Sequence, residues 1–316
     1  MILVLRALGV GDLAAGVPAL RALRAAFPDR TLALAAPAWL TPLAELIGGI
    51  DRLVPADGLA AGPQPAAQGL PGPELAVNLH GSGPESHRLL QALDPGRMWA
   101  FANAEAGHPD GPTWAEEEHE VRRWCRLLSH HGVRTDPADL SLAVPATGGP
   151  RGVTIVHPGA KSPARRWPRF AAVARALSAR GHQVVITGSA WERELALAVA
   201  HGAGLPPAAV LAGETGLGEL AALVAHARLL VSGDTGIAHL ATAYRTPSVV
   251  LFGPVPPSRW GPPPERAYHR AIWHGTRAER GDTTDPGVHP ALLRVTVDEV
   301  LAATDAAERA RHAVAA

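Results

Sequence analysis

Met1-Ile2-Leu3-Val4-Leu5-Arg6-Ala7-Leu8-Gly9-Val10-Gly11-Asp12-Leu13-Ala14 decides the architecture. Ile2 to Leu5 is an unbroken apolar run, the pattern of a strand covered on both faces of a parallel sheet. A glycine turn follows, and then Leu13, Val17, Leu20, Leu23 and Phe27 recur at helical intervals, laying one apolar stripe along a helix. Pro18 lies inside that stripe and should bend the helix or shift its start. Buried strand, glycine turn and amphipathic helix make one βα unit.

The unit repeats along the chain. Apolar runs predict strands around 31–35, 74–79 and 97–101, and a helix over 117–131 closes the first half. Residues 57–73, rich in Gly, Pro and Ala, read as a long loop. Pro145-Ala146-Thr147-Gly148-Gly149-Pro150 has linker composition near the midpoint, so the domains are drawn at 1–147 and 148–316. A second series then predicts strands at 153–156, 183–187, 229–231 and 248–252. Helices are expected over 168–179 (opened by Pro168), 191–200, 217–224 and from Gly236, with a last one from about Val297. The expected fold is α/β, two parallel-sheet domains facing a central cleft, with ligands at the carboxyl ends of the strands.

Composition narrows the function. The formal net charge is zero, which gives no electrostatic grip on nucleic acid. No apolar stretch is long enough to span a bilayer, and the start of the chain reads as a strand rather than a signal peptide. The one cysteine, Cys125, shares a helical face with Val121 and Leu128 and reads as a buried thiol. A cytoplasmic setting is expected. Lys161 is the only lysine in the chain.

Gly9-Val10-Gly11-Asp12-Leu13-Ala14 matches the relaxed dinucleotide fingerprint G-x-G-x-x-A. That reading needs an acid at the end of the second strand to hold a ribose, and Ala33-Leu34-Ala35-Ala36-Pro37 supplies none. Asp12 then serves either as an N-cap or as a carboxylate that takes a proton from an acceptor hydroxyl, roles that can coexist. Gly233-Asp234-Thr235-Gly236-Ile237-Ala238-His239 stands at a strand-to-helix junction, where glycines and free N–H groups suit an anion, although a capped turn would use the same residues. His157-Pro158-Gly159-Ala160-Lys161-Ser162-Pro163 lacks the glycines of a P-loop; with Arg165 and Arg166 it reads as a diphosphate site or a solvated basic loop. His119, His130 and His131 fall on a charged helix and read as exposed, and Glu116-Glu117-Glu118 as a helix-start charge run, so no metal site is expected.

Together these segments resemble glycosyltransferase family 9, which includes the lipopolysaccharide heptosyltransferases. The resemblance runs through Leu5-Arg6-Ala7-Leu8-Gly9-Val10-Gly11-Asp12 with Val17-Pro18-Ala19-Leu20, then Pro158-Gly159-Ala160, Arg165-Arg166-Trp167-Pro168, Gly188-Ser189 with Glu192, Gly233 to His239, and Leu251-Phe252-Gly253-Pro254. It implies the GT-B fold, two Rossmann-like domains with acceptor on the first and nucleotide sugar on the second. It implies Asp12 as catalytic base, and a donor site of Lys161, Ser162, Arg165, Glu192, Thr215, Asp234, Thr235, Gly236 and His239. Glu192 would meet the ribose and Thr215 the base. Where the family commonly has lysine two residues before Trp-Pro, this chain has Arg165, and Lys161 could share that role. The implied activity is inverting, metal-independent transfer of a heptose-like sugar from an ADP-linked donor to a saccharide or lipid-linked acceptor, which would bring the enzyme to the inner face of the cytoplasmic membrane. A nucleotide-sugar epimerase or hydrolase, or a non-catalytic nucleotide-sugar-binding protein, are the alternatives.

Overall fold

The computed structural model describes residues 1–60, 71–146, 149–276 and 287–315, which form two compact units, Met1–Ala143 and Val144–Ala316. The expected boundary at 147/148 and most of the long loop over 57–73 lie outside the described residues.

The first unit runs β1 (Ile2–Leu5), α1 (Val10–Ala15), α2 (Val17–Ala26), β2 (Leu32–Ala36), α3 (Thr41–Ile47), β3 (Arg52–Pro55), β4 (Leu75–Asn78), α4 (Pro84–Gln91), β5 (Arg97–Trp99) and α5 (Glu120–His130). All strands are parallel, in the order β3-β2-β1-β4-β5. The central strands β1, β2 and β4 are buried along their whole length, as apolar runs covered by helices require. Each fully buried leucine or valine there is worth about 1.5–3 kcal/mol. Pro18 does shift the helix: the stripe is carried by two helices broken at Gly16, and Pro18 sits in the first turn of α2, where a missing N–H costs nothing. The helix expected from 117 begins at Glu120, because His119 caps it by accepting the Val121 N–H on its side chain. His131 caps the other end and stacks on Trp99, so these two histidines are helix ends rather than points on an exposed face. Cys125 is buried, and burial pushes its thiol up to about 11.

The second unit runs β6 (Thr154–His157), α6 (Phe170–Ala179), β7 (Val184–Ile186), α7 (Arg193–Ala203), α8 (Leu217–Ala225), β8 (Leu229–Gly233), α9 (Gly236–Tyr244), β9 (Ser248–Phe252), α10 (Pro257–Trp260), β10 (His269–Trp273), α11 (Pro290–Arg294) and α12 (Val297–Ala315). Its parallel sheet has the order β10-β9-β8-β6-β7. One core cluster joins Trp167 and Phe170 to Val199, Leu229, Leu251 and Leu292. The helix expected from Pro168 opens at Phe170 instead, with Arg169 as its cap residue, while Pro163 starts a separate 3-10 turn over Pro163–Arg165. Edge strands β3 and β10 escape a reading by apolar runs, since Arg52 and Ala271 are exposed and Arg270 is half-buried.

Candidate functional site

In each unit the strand order reverses once, and in open parallel sheets ligands bind where it does, beyond the carboxyl ends of the strands. In the first unit the reversal lies between β1 and β4, in the second between β6 and β8.

At the first reversal the register Leu5↔Asn78 sets the connections after β1 and β4 side by side. Arg6 fills the gap. Its side chain is fully buried, its Nε donates to the Asp12 carbonyl at 2.8 Å, its Nη1 donates to the Leu79 carbonyl, and its Nη2 meets Glu120 Oε1 at 3.0 Å. Its guanidinium also lies 4.7 Å from the Trp124 ring centroid. Burial alone would raise the Glu120 carboxyl, but the Arg6 and Arg123 guanidinia outweigh it and hold the group below the usual carboxylate range.

Asp12 is not an N-cap. It is the third residue of α1 and reaches back to accept the Gly9 N–H on Oδ2 at 3.1 Å. Oδ1 stands 3.8 Å from Arg6 Nη2, and the side chain is 30% exposed. The carboxylate is therefore held at its backbone and at one oxygen while it remains open to solvent. His80 stands at the start of the neighbouring connection, its backbone N–H donated to Asn78 Oδ1 at 3.0 Å. Burial and then the Arg6 cation lower its imidazole, against a pull from Asp12, and its Nδ1 is buried with no hydrogen-bond partner.

At the second reversal the register His157↔Ser232 aligns the connections after β6 and β8. Arg165 Nη1 bonds Asp234 Oδ2 at 2.8 Å and its carbonyl lies against Gly233, where a Cβ would stand 3.1 Å away. The cation expected to face a diphosphate thus rests on the carboxylate of the facing loop. Thr235 caps α9 by backbone alone: it makes no side-chain cap, and its Oγ1 and that of Ser232 are buried without partners. Gly236 is the first residue of α9, and His239, one turn on, faces the Trp260 ring at 5.8 Å. Lys161 is exposed and Ser162 half-buried in the turn after β6.

Glu192 sits in a notch made by two glycines. A Cβ on Gly159 would stand 2.3 Å from its carboxylate, and one on Gly188 3.2 Å from its Cβ. Its Oε2 accepts both the N–H and the hydroxyl of Ser189 at 2.8 Å. His157 lies within its field: burial lowers the imidazole, Glu192 pulls it back up, and Nδ1 contacts Thr187 Oγ1 at 2.9 Å. Arg193 bonds the Ala212 carbonyl at 2.7 Å and Glu214 at 2.8 Å, which holds the turn carrying Thr215 beside the start of α7. Among the described residues, no three His, Cys, Asp or Glu side chains are grouped to hold a metal ion.

The donor-side residues chosen from the sequence therefore gather on the connections after β6, β7 and β8, with Thr215 in the turn before α8. The sequence reading missed the roles of Arg6, Glu120, His80 and His157. The signal for Arg6 was available, because a charge closing a fully apolar strand needs a buried partner. Glu120 was hidden in a charge run, and the two histidines in irregular connections.

The sequence pattern of "Glycosyltransferase family 9 (heptosyltransferase)" matches residues 114–285. The lipopolysaccharide heptosyltransferase 2 of Salmonella typhimurium is 36% identical over 151 residues, 46% of this chain and 43% of that protein. The chain thus spans less than half the length of this relative. The ADP-heptose lipopolysaccharide heptosyltransferase II of Escherichia coli shares the fold with a TM-score of 0.77 and 23% identity, over 98% of this chain and 99% of that one. An Escherichia coli heptosyltransferase solved with ADP aligns with a TM-score of 0.71 and 17% identity, over 97% and 99% of the two chains.

Proposed function

The chain belongs to glycosyltransferase family 9 and has the GT-B fold, and on that premise we propose that it transfers a heptose-like sugar from an ADP-linked donor to a saccharide hydroxyl, with inversion and without a resident metal. Asp12 accepts the proton of the acceptor hydroxyl. That oxygen bonds to the anomeric carbon while the bond from this carbon to the diphosphate oxygen breaks, leaving the new negative charge on ADP.

The observation that carries this reading is the unspent donor set at the second reversal. The Thr235 hydroxyl, the opening N–H groups of α9 and the exposed Lys161 lie on the two connections that face each other there. Such donors stabilise a departing diphosphate in place of a divalent cation. Glu192, with Oε1 outside the Ser189 contacts, suits the ribose hydroxyls. A nicotinamide enzyme is disfavoured because β2 ends at Ala36 without the acid that would hold a ribose. No described helix is long and apolar enough to cross a membrane.

Calorimetry with ADP, GDP, UDP and NAD, with and without EDTA, tests the reading. The expected result is ADP binding that survives EDTA and no NAD binding. Binding of NAD in place of the diphosphates overturns it.

A further inference from the structure

Arg6 stands between two carboxylates and serves one of them. Its Nη2 lies 3.0 Å from Glu120 Oε1 but 3.8 Å from Asp12 Oδ1, beyond hydrogen-bond length. Asp12 Oδ2 is taken by the Gly9 N–H, so Oδ1 carries no hydrogen bond among the described residues, while the side chain stays 30% exposed. In the proposed transfer, Oδ1 is the oxygen with a lone pair left for the acceptor's proton.

The anchorage of Glu120 decides between the two. It opens α5 with a side chain only 7% exposed. Oε1 also accepts the Trp124 Nε1–H at 2.9 Å, and Oε2 accepts from Arg123 Nη1. Arg123 in turn holds the carbonyls of Ala115, Glu116 and Glu118 through Nη2 at 2.9, 3.2 and 3.0 Å. The buried Arg6 cation is drawn to the anion that water screens least, which is Glu120. The choice matters for proton transfer. An Arg6 N–H bonded to Oδ1 would occupy its lone pair and favour the charged carboxylate, so taking a proton would first cost a charge-assisted hydrogen bond. A movement of Nη2 by about 1 Å would form that bond.

We infer that Glu120 is a positioning residue for the base: by holding the Arg6 cation it keeps that cation off Asp12 Oδ1 and leaves this oxygen free for the acceptor's proton. The inference rests on the base reading of Asp12 and adds what keeps that base unspent. The charged and titratable groups around Asp12 are Arg6 after β1, His80 after β4 and, across Arg6, Glu120 with Arg123 on α5. Burial and the Arg6 cation lower the His80 imidazole, so it adds no positive charge near neutral pH.

The test is a carbon NMR titration of the full chain labelled at the aspartate carboxyl carbon, with the Asp12 signal assigned by its absence from Asp12→Asn. In Glu120→Gln, an amide of the same shape without the charge, Arg6 loses its anion and turns to Asp12. The Asp12 midpoint should then fall by about one pH unit or more. In the double variant Arg6→Gln/Glu120→Gln the cation leaves with its partner, and the midpoint should return to within about half a unit of the wild type. Removing a buried ion pair as a pair, with Arg123 still on its three carbonyls, should let the double variant fold even where Glu120→Gln does not. The double variant then carries the test against the wild type. A midpoint unmoved in Glu120→Gln overturns the inference, since Arg6 would be indifferent to Glu120. So does one that stays low in the double variant, which would assign the shift to repacking. A rise of more than about one unit there overturns it too, because Arg6 would already serve Asp12 in the wild type. Full turnover of an ADP-sugar by Asp12→Asn would end the base reading and leave the titrations as they stand, so the two fail separately.

Discussion

The two strand-order reversals are built from opposite materials. Between β1 and β4 the protein has inserted its own cation: Arg6 is fully buried and spends its donors on Asp12, Leu79 and Glu120. Between β6 and β8 it has inserted glycines and left hydroxyls unmet, with Gly159 and Gly233 lining the approach and Ser232 and Thr235 unpartnered. On the proposed reading, a base is held still before substrate arrives, which suits a carboxylate braced by Arg6 and the Gly9 N–H. A nucleotide site, as proposed for the second reversal, would leave donors unspent, because the ligand is their partner. The same topological position thus holds a buried, paired cation in one unit and two unmet hydroxyls in the other.

Asp12→Asn should break the first half of the comparison most sharply. The amide can still accept the Gly9 N–H but cannot take a proton, so transfer should fall about 10²–10⁴-fold with ADP affinity unchanged. Full turnover in a coupled ADP-release assay would remove Asp12 from the base role. Glu120→Ala should come next. It leaves the Arg6 and Arg123 guanidinia buried without their shared carboxylate, at a cost of about 3–5 kcal/mol in urea unfolding. A loss below about 1 kcal/mol would mean that the Arg6 site is not preorganised by this pair.

Gly159→Ala sharpens the second half. The new Cβ falls 2.3 Å from the Glu192 carboxylate, the far end of a flexible side chain that can swing away. Stability should change by less than about 1 kcal/mol, while ADP affinity drops about tenfold, as in Glu192→Ala. The double variant should be no worse than either alone, since both lose the same contact. Additive losses in calorimetry would show that Gly159 acts on its own account.

The smallest expected effect is on acid stability, and both units share it. Burial pushes His131, stacked on Trp99, down to about 4, and His269, bonded to Ser248 Oγ, down to about 3, from 6.5. Below pH 6.5 the unfolded chain binds protons that the native imidazoles refuse. Their contribution is therefore complete above 6.5 and drains as the pH falls toward the folded values. The melting temperature should decline between pH 6.5 and 4.5, and His269→Gln should flatten that decline. An unchanged slope in the variant would assign the acid sensitivity elsewhere.

Legibility followed the strength of the local pattern. β9 was readable at its full extent, Ser248–Phe252, because it is a central strand with every residue buried. β3 and β10 were not, because charged or exposed residues interrupt their apolar runs, whereas β7, also an edge strand, keeps a buried run over Val184–Ile186. The short helices α3 and α4 went unread for a related reason: seven or eight residues give too few turns for a stripe to stand out from its neighbours. On the donor side, the residues singled out by glycine and proline punctuation lie on the connections after β6, β7 and β8, since a local turn is legible in a short window. Arg6 and Glu120, 114 positions apart, could not be paired from any local window.

By itself the sequence determined the alternation of strands and helices, the two-part organisation and the loops that carry Asp12 and Asp234, because each follows from residues within one or two turns of each other. Only the tertiary structure decided the strand orders, and with them which connections meet at a reversal. It alone placed Arg6 on Glu120, Arg165 on Asp234 and the Glu192 carboxylate against Gly159. Those pairings follow from parallel register between strands distant in sequence, where burial forces every charge to find a partner that the local chain does not supply.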